Sequence, residues 1–428
     1  MHGETPANGP ERRTDWDAID WRRAHRIVRN LRQRIFRASR EGNLKRAYSL
    51  QKLMLRCRSN TLLAVRRVTQ LNAGKDTPGV DQVVVKTPAA RGQLVDDLST
   101  YQPWRARPAR RVYIPKASGK LRPLGIPTIV DRCLQARVKQ ALEPFWEARF
   151  EGCSYGFRPG RSCHDALCRL YSFANARGTK RWIVDADIEG AFDTIAHAHL
   201  LRTIGPVPGR ELIRQWLKAG FMEDGTWHAT EAGTPQGGVI SPLLANIALH
   251  GLESALGANV RTKGRPASRA LVRYADDFVV LCGTREDAER VIGVLTAWLG
   301  ERGLRLSETK TRIVHLTEGF DFLGFTVRHY KTSARSAGYT LLITPSNASV
   351  QKIRDRLRNE WFALYGANAK AVVAKLNPII KGWANYYRPQ VASATFRKLD
   401  AWMFTRACRY VRHCHPNKPW SWRKSRYW

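Results

Sequence analysis

The chain contains 428 residues, of which 43% are apolar and 10% aromatic, so it can bury a large core and is not a disordered basic tail. Its 72 Lys and Arg against 36 Asp and Glu give a formal net charge of +36. A folded protein with such an excess usually has a polyanionic partner, most often nucleic acid, because each phosphate contact releases condensed counterions.

The sequence lacks the usual signs of a secreted or membrane protein. Residues 1–13 are polar and charged, and no uncharged apolar run reaches the roughly 18 residues that a membrane span needs. The eight cysteines include no Cys-x-x-Cys pair, and a chain of this length does not need disulfides. We expect a reduced, soluble, intracellular protein with no membrane partner.

Basic residues concentrate at the two ends of the chain. Residues 1–70 carry 17 Lys or Arg against 6 acidic residues. Residues 381–428 carry 11 Lys or Arg against one acidic residue, interleaved with 11 aromatic residues. A solvated surface normally mixes the two signs, so this pattern indicates basic arms on either side of a more balanced centre.

The first third of the chain is predicted to contain helices and one basic hairpin. Apolar residues at helical spacing predict helices over 16–40 and 44–68, and turn formers at 72–79 indicate a boundary. Two short strands, 111–115 and 120–126, are predicted to form the hairpin around a Gly-containing turn.

The rest of the chain alternates predicted helices with predicted strands. The strands are 182–188 and two within 272–282, and the helices are 129–150, 191–204, 243–256, 287–302 and most of the chain from 349. This order predicts an α+β core with helical additions at both ends.

The strongest chemical signal is a pair of adjacent aspartates between two apolar β-forming runs. Asp276 and Asp277 are predicted at the tip of a hairpin, where two carboxylates repel each other unless a cation neutralises them. Oxygen ligands without nearby His or Cys favour Mg²⁺, with Mn²⁺ as a possible substitute. The other adjacent pair, Asp96 and Asp97, lacks flanking strands and is predicted to be a solvated surface pair.

A second acidic strand carries Asp185 and Asp187, which project from one face because they are two residues apart. If one of them lay beside Asp276 and Asp277, the carboxylates could hold two metal ions for phosphoryl transfer. Asp185 is expected to be a paired carboxylate behind the metal ligands.

Residues 232–242 form a Gly-rich loop in which Gln236 either contacts a nucleotide or is structural.

An ordered set of motifs strongly resembles the bacterial group II intron-encoded reverse transcriptases, or maturases. The motifs are IPK at 114–116 with KLRPLGIP at 120–127, YGFRPGRS at 155–162, DIEGAFD at 187–193, TPQGG at 234–238 and YADD at 274–277. Residues 77–81 and 376–387 resemble the upstream finger element and the thumb, or domain X, of the same family.

The resemblance implies a right-hand polymerase with a helical N-terminal extension. The implied domains are the extension at 1–75, fingers at 76–180, a palm at 181–335, and a thumb with a short basic tail at 336–428. The implied function is RNA-directed DNA polymerisation from dNTPs, together with binding of group II intron RNA for splicing and retrohoming. Implied partners are the intron RNA, an RNA template and a DNA primer or target, with the protein acting as a monomer or dimer in the bacterial cytosol or nucleoid.

The resemblance also implies roles for individual residues. The metal positions are Asp187, Ile188, Asp276 and Asp277, and Lys310 would protonate the leaving pyrophosphate. Lys116 and Arg122 would hold the incoming triphosphate, Phe192 would exclude a ribose 2′-hydroxyl, and Gln236 would line the nucleotide pocket. Nucleic acid would be contacted by Arg158, Arg161, Phe325, Lys381 and Arg388, with Phe325 belonging to the primer grip at 322–325.

Two alternatives remain open at this stage. One is an RNA-binding splicing cofactor with a vestigial polymerase, which the complete set of catalytic motifs disfavours. The other is a domesticated reverse transcriptase serving DNA repair, phage defence or CRISPR adaptation. The sequence given ends at Trp428 without the H-N-H endonuclease of the longest family members, either naturally or through truncation.

Overall fold

The computed structural model describes residues 13–100, 103–115, 119, 121–175, 178–259, 267–333 and 338–428. The helices are α1 (Trp21–Arg40), α2 (Leu44–Arg56), α3 (Arg58–Arg66), α4 (Pro88–Ser99), α5 (Ile129–Glu147), α6 (Cys163–Ala174), α7 (His197–Ile204), α8 (Arg210–Lys218), α9 (Ser241–Ala248), α10 (Leu252–Ala255), α11 (Arg285–Gly300), α12 (Asn347–Ala363), α13 (Ala369–Tyr387), α14 (Ser393–Cys414) and α15 (Trp420–Tyr427). The strands are β1 (Ala109–Pro115), β2 (Leu121–Ile126), β3 (Trp182–Glu189), β4 (Phe221–Glu223), β5 (Thr226–His228), β6 (Ala270–Tyr274), β7 (Asp277–Cys282), β8 (Arg305–Leu306), β9 (Arg312–His315), β10 (Phe320–Phe322), β11 (Phe325–Lys331) and β12 (Tyr339–Pro345).

The N-terminal helices pack on α5. Helix α1 begins later than predicted because the Asp20 side chain caps it by accepting from the Arg23 amide. The predicted helix over 44–68 is interrupted at Cys57, whose extended backbone separates α2 from α3. Asp96 is not a solvated residue as predicted: its carboxylate accepts from the backbone and hydroxyl of Thr14 and from Arg58, joining the start of the described chain to α4.

The central sheet is antiparallel and confirms the predicted strands around residues 182–188 and 272–282. Its order is β6-β7-β3, and the free edge of β3 pairs with β9 near its start and with β8 near its end. The core extends from this sheet through α9 and α11 to the N-terminal helices. Strand β3 is thus held on both edges, which fixes the direction of its side chains.

The predicted basic hairpin is confirmed as β1 paired with β2. Strands β4 and β5, which were not predicted, extend this sheet because β4 pairs with β1 in parallel. Close approach of Gly125 in β2 to Pro235 places the hairpin beside the Gly-rich loop: a Cβ at Gly125 would lie 3.1 Å from the Pro235 side chain.

Two predicted helices were wrong in part. The chain turns over residues 190–196 and α7 begins only at His197, because Gly190 has φ +54° and Ala196 pairs with Ala232. The predicted helix over 243–256 is interrupted at Gly251, where φ is +97°. Within the described residues, no helix combines the length and apolar character needed to cross a membrane.

A third sheet, β10-β11-β12, precedes the C-terminal helices and was not predicted. Strands β11 and β12 pair over their whole length, so the boundary predicted after residue 335 separates two partners of one sheet. We propose instead that the helical thumb begins after Pro345, with the predicted C-terminal helices present as α12 to α15.

Candidate active site

The sheet register brings the predicted aspartates together. Asp187 in β3 lies directly opposite Asp277 in β7, and Asp276 occupies the turn between β6 and β7. The two motifs are about ninety residues apart in the chain but become neighbours because β3 and β7 pair side by side. The expected convergence of Asp187 with Asp276 and Asp277 is therefore observed.

Burial and mutual repulsion disfavour the charged forms of these carboxyls. Burial is the main cause that raises the pKa of Asp276. Burial, followed by repulsion from Asp185, Asp187 and Asp276, raises the pKa of Asp277 to about 7. Lys310 donates to Asp187 Oδ2 at 2.6 Å, and this hydrogen bond raises the pKa of the lysine. The cluster thus holds more negative charge than its protein partners neutralise.

This cluster fits divalent cations. Burial, and after it repulsion by neighbouring carboxylates, disfavours the charge of Asp277, which a bound cation would offset, and the carboxylates supply the hard oxygen ligands that Mg²⁺ prefers. Ile188 has a buried side chain, so only its main-chain carbonyl could serve as a ligand. The oxygens of the three aspartates do not all lie within 4.8 Å of one another, and Lys310 binds Asp187 Oδ2 at 2.6 Å.

Asp185 points to a different partner. Arg312 Nε donates to its Oδ2 at 3.0 Å across the β3–β9 pair. The predicted pairing of Asp185 is confirmed, and the ion pair with Arg312 leaves Asp187 as the carboxylate of β3 that faces the turn.

A buried framework holds the turn from behind, and sequence reasoning missed it. Ala275 has φ +62°, an uncommon conformation for a residue with a side chain. The guanidinium of Arg273, which is 1% exposed, donates to the Ala275 carbonyl at 3.0 Å and to Asn246 Oδ1 at 3.1 Å. Asn246 in turn donates to the Gly156 carbonyl at 2.8 Å. The only sequence signal was an arginine inside an otherwise apolar strand.

Gly156 contacts the backbone of the same turn directly. Residues 153–155 run alongside β6, with the Tyr155 amide donating to the Arg273 carbonyl at 2.9 Å. A Cβ at Gly156 would lie 2.9 Å from the Tyr274 carbonyl carbon and closer still to the Ala275 nitrogen. This segment of the YGFRPGRS motif therefore supports the catalytic turn from behind.

The two arginines of that motif do not both face solvent. The Arg158 side chain is 3% exposed and forms an ion pair with Glu147 at 2.8 Å, while it also donates to the Glu151 and Ser154 carbonyls. Its predicted contact with the template backbone is wrong for this conformation, because those partners occupy the guanidinium. Arg161 is half-buried and donates to the Gly152 carbonyl at 2.8 Å.

The predicted nucleotide-binding residues come from the hairpin and the Gly-rich loop. Arg122 is exposed on β2, and its charge partly offsets the raised pKa of Asp276, so the hairpin faces the aspartates. Lys116 lies outside the described residues. Gln236 donates to Asp193 Oδ2 at 3.0 Å and its carbonyl accepts from Gly125 at 2.7 Å, which ties the loop to the hairpin. A cavity of about 580 Å³ lies between the two elements.

Phe192 sits in the turn that replaced the predicted start of a helix. Its carbonyl accepts from the Thr234 amide at 2.6 Å, and its half-buried ring meets the Phe157 ring edge-on at 6.2 Å. Phe192 is therefore anchored to the Gly-rich loop, five residues after Asp187, where a ring could limit the space beside a bound sugar.

If Phe192 excludes a 2′-hydroxyl, Phe192→Val should raise incorporation of rNTPs relative to dNTPs by about 10- to 100-fold, the range for steric discrimination in a pocket. The measurement is single-nucleotide primer extension with dNTP and rNTP in parallel. Incorporation of dNTP should change only a few-fold, which shows that the site remains intact. An unchanged ratio of rNTP to dNTP incorporation would contradict the gate.

The remaining nucleic-acid residues fall into two classes. Phe325 is 0% exposed and packs against the rings of Tyr386 and Tyr387, so its predicted contact with nucleic acid is wrong and its place is in the core. Lys381 and Arg388 are exposed on and just after α13, as a contact with a polyanion requires.

Comparison with known proteins identifies the family. Residues 114–327, which contain all three aspartates, match the family described as "Reverse transcriptase (RNA-dependent DNA polymerase)". The chain belongs to the reverse transcriptases. Residues 16–98 match the N-terminal domain of reverse transcriptase, which extends past the boundary predicted at 75, and residues 350–428 match the group II intron maturase-specific domain.

Curated relatives agree with this assignment. Protein YkfC of Escherichia coli is 38% identical, over 61% of this chain and 79% of YkfC. The group II intron-encoded protein LtrA of Lactococcus lactis is 30% identical, over 67% of this chain and 61% of LtrA. The predicted right-hand fold and RNA-directed DNA polymerase with a maturase domain are confirmed. This family of reverse transcriptases uses divalent metal ions.

Proposed function

We propose that this reverse transcriptase extends a DNA primer along an RNA template from dNTPs, and that Asp187, Asp276 and Asp277 hold two Mg²⁺ ions, for which Mn²⁺ could substitute. The main support for this proposal is the β3–β7 register, in which Asp187 lies directly opposite Asp277. When bound, the two cations would activate the primer 3′-hydroxyl and neutralise the charge on the departing pyrophosphate. Ile188 would contribute through its main-chain carbonyl.

The surrounding side chains would position the nucleotide. Arg122 and Lys116 would neutralise the triphosphate from the hairpin, and Phe192 would limit the space at the sugar. Gln236 would line the nucleotide pocket from the Gly-rich loop, where its side chain is held by a hydrogen bond to Asp193. Lys310, which donates to Asp187 Oδ2 at 2.6 Å, would be protonated at neutral pH and would give a proton to the leaving pyrophosphate.

Primer extension by the purified chain tests this proposal. An RNA template annealed to a DNA primer should be copied when dNTPs and Mg²⁺ are present, and chelation with EDTA should stop synthesis until Mg²⁺ is restored. Failure of extension with both Mg²⁺ and Mn²⁺ would contradict the proposed activity.

We also propose that the chain binds group II intron RNA and so promotes splicing and retrohoming. The maturase-specific match over residues 350–428 supports this role, as do the exposed Lys381 and Arg388. Phosphate contacts and shape would suffice for such binding. The gathered aspartates favour an active polymerase over a vestigial one. A bacterial cytosolic or nucleoid location and a monomer or dimer on RNA stay predictions.

Removing the two thumb charges should weaken RNA binding. For Lys381→Ala with Arg388→Ala, we expect the slope of log affinity against log salt to fall by about one to two units, since each phosphate contact contributes nearly one. Filter binding to structured intron RNA at several salt concentrations measures this slope.

A charge-matched control is available on α11. Arg285→Ala with Arg290→Ala removes two exposed arginines that are paired with Glu289 and Asp287. An equal loss of slope in both double variants would show that net charge, rather than the thumb surface, governs binding.

A further inference from the structure

The turn between β10 and β11 is unusually constrained. Leu323 has φ +51° and Gly324 has φ +81°, so two consecutive residues adopt left-handed backbone. Leu323 packs against the same buried cluster as Tyr274, the last residue of β6 before the turn that carries Asp276. The Leu323–Gly324 turn is therefore joined by hydrophobic packing to the strand that leads to the aspartates.

The thumb helices hold both carbonyls of this turn. The Tyr386 hydroxyl, on α13, donates to the Leu323 carbonyl at 2.9 Å. The Gly324 carbonyl accepts from Ser349 Oγ at 3.1 Å and from the Ser346 amide at 3.0 Å. These contacts join a single turn to α13 and to the start of α12.

The turn packs closely against the end of α13. A Cβ at Gly324 would lie 2.9 Å from the Tyr387 hydroxyl. On the opposite side, His164 Nε2 in α6 donates to the Tyr386 carbonyl at 2.7 Å, and Phe325 packs under both tyrosine rings. The end of α13 is thus wedged between α6 and the turn.

Helix α13 has an exposed side with basic residues and a buried side that packs against the turn. Its exposed side presents Lys381, and the chain continues to Arg388, whereas Tyr387 is 6% exposed and faces the turn. Nucleic acid bound by the thumb and the Leu323–Gly324 turn would therefore be connected through one helix.

We propose that Tyr386 is a positioning residue for primer extension: its hydroxyl fixes the Leu323–Gly324 turn against α13, so that the thumb and the primer end are held in one alignment. This inference rests on the proposed polymerase function. Tyr386 would act through the turn and need not touch the nucleotide.

The test compares Tyr386→Phe with Tyr410→Phe. Both remove one tyrosine hydroxyl that donates to a carbonyl, but Tyr410 bonds to Ala367 within the thumb. For Tyr386→Phe we expect the KM for primer–template to rise about fivefold, the effect of losing one net hydrogen bond. The KM for dNTP should stay unchanged, the melting temperature should fall no further than in Tyr410→Phe, and Tyr410→Phe should alter neither KM.

Equal KM values for primer–template in the two variants would overturn the inference while leaving polymerase activity intact. Absence of extension by the unmodified protein would instead contradict the proposed function itself. If Tyr386→Phe lowers the melting temperature more than Tyr410→Phe does, Ser349→Ala is the deciding variant, because it releases the Gly324 carbonyl from the α12 side. Ser349→Ala should raise the same KM, and an unchanged KM would overturn the inference.

Discussion

Asp277→Asn should abolish primer extension while making the metal-free protein more stable. The amide keeps the shape of the side chain but cannot replace a carboxylate ligand. Loss of an outer partner of a metal ligand already costs about 10- to 100-fold, so loss of the ligand itself should cost about a thousandfold or more. Stability should rise because the raised pKa of Asp277 shows that its charge is unfavourable in the folded state.

Two measurements check this prediction. Steady-state primer extension gives the loss of activity, and thermal unfolding in EDTA should show a melting temperature higher by about 1–3 °C. Asp97→Asn is the matched control, since Asp97 is an exposed aspartate of the other adjacent pair and accepts from Gln93. Retention of extension by Asp277→Asn would remove this residue from the proposed metal site.

Adding Mg²⁺ should stabilise the unmodified protein more than the variant. A cation that binds only the folded state raises stability by mass action, and the unmodified site offers one more charged ligand. Equal shifts of melting temperature on adding Mg²⁺ would show that the ion binds elsewhere.

Gly156→Ala should reduce primer extension by about a hundredfold, although Gly156 carries no chemical group. The added methyl would meet the backbone of Tyr274 and Ala275, so the turn that bears Asp276 must move. A displacement of about 1 Å at a reacting group is enough for a loss of this size. Gly156 does not have positive φ, so the backbone itself accepts alanine and the effect is steric.

Gly152→Ala provides a close control in the same segment. A Cβ there would meet nothing within 4 Å, so activity should remain within about twofold of the unmodified protein. Rates should be measured at saturating primer–template and dNTP, where the loss in Gly156→Ala should persist in kcat. Equal activity of the two alanine variants would show that the turn tolerates contact from this segment.

Much of the catalytic centre could be predicted from local pattern. The apolar runs on either side of Asp276 and Asp277 predicted a hairpin tip, and the two-residue spacing of Asp185 and Asp187 predicted a shared face. Strands and turns of this kind depend on neighbouring residues, so short windows of sequence contain the information. The predicted pairing of Asp185 also followed, since a carboxylate in an apolar strand needs a partner.

The predictions that the structure contradicts share a different cause, which is contact between distant parts of the chain. Arg158 and Phe325 were expected to face nucleic acid, yet Glu147 binds the first and two tyrosines of α13 cover the second. Glu147 lies before an intervening loop at the end of α5, and the two tyrosines lie far along the chain in α13, and a residue type alone does not report such contacts. The helix predicted to begin at 191 failed for the same reason, because pairing of residues 195–196 with the Gly-rich loop overrides local propensity.

The charge of the protein, the strands β3, β6 and β7 and the three aspartates could be predicted from the sequence. Contacts between distant segments could not: these place Asp187 opposite Asp277, set Arg273 and Gly156 against their turn, and join Tyr386 to the turn at Leu323. The first set arises from interactions between residues close in the chain. The second arises from strand register and packing between distant segments, where a single shift of one residue would turn every side chain to the other face.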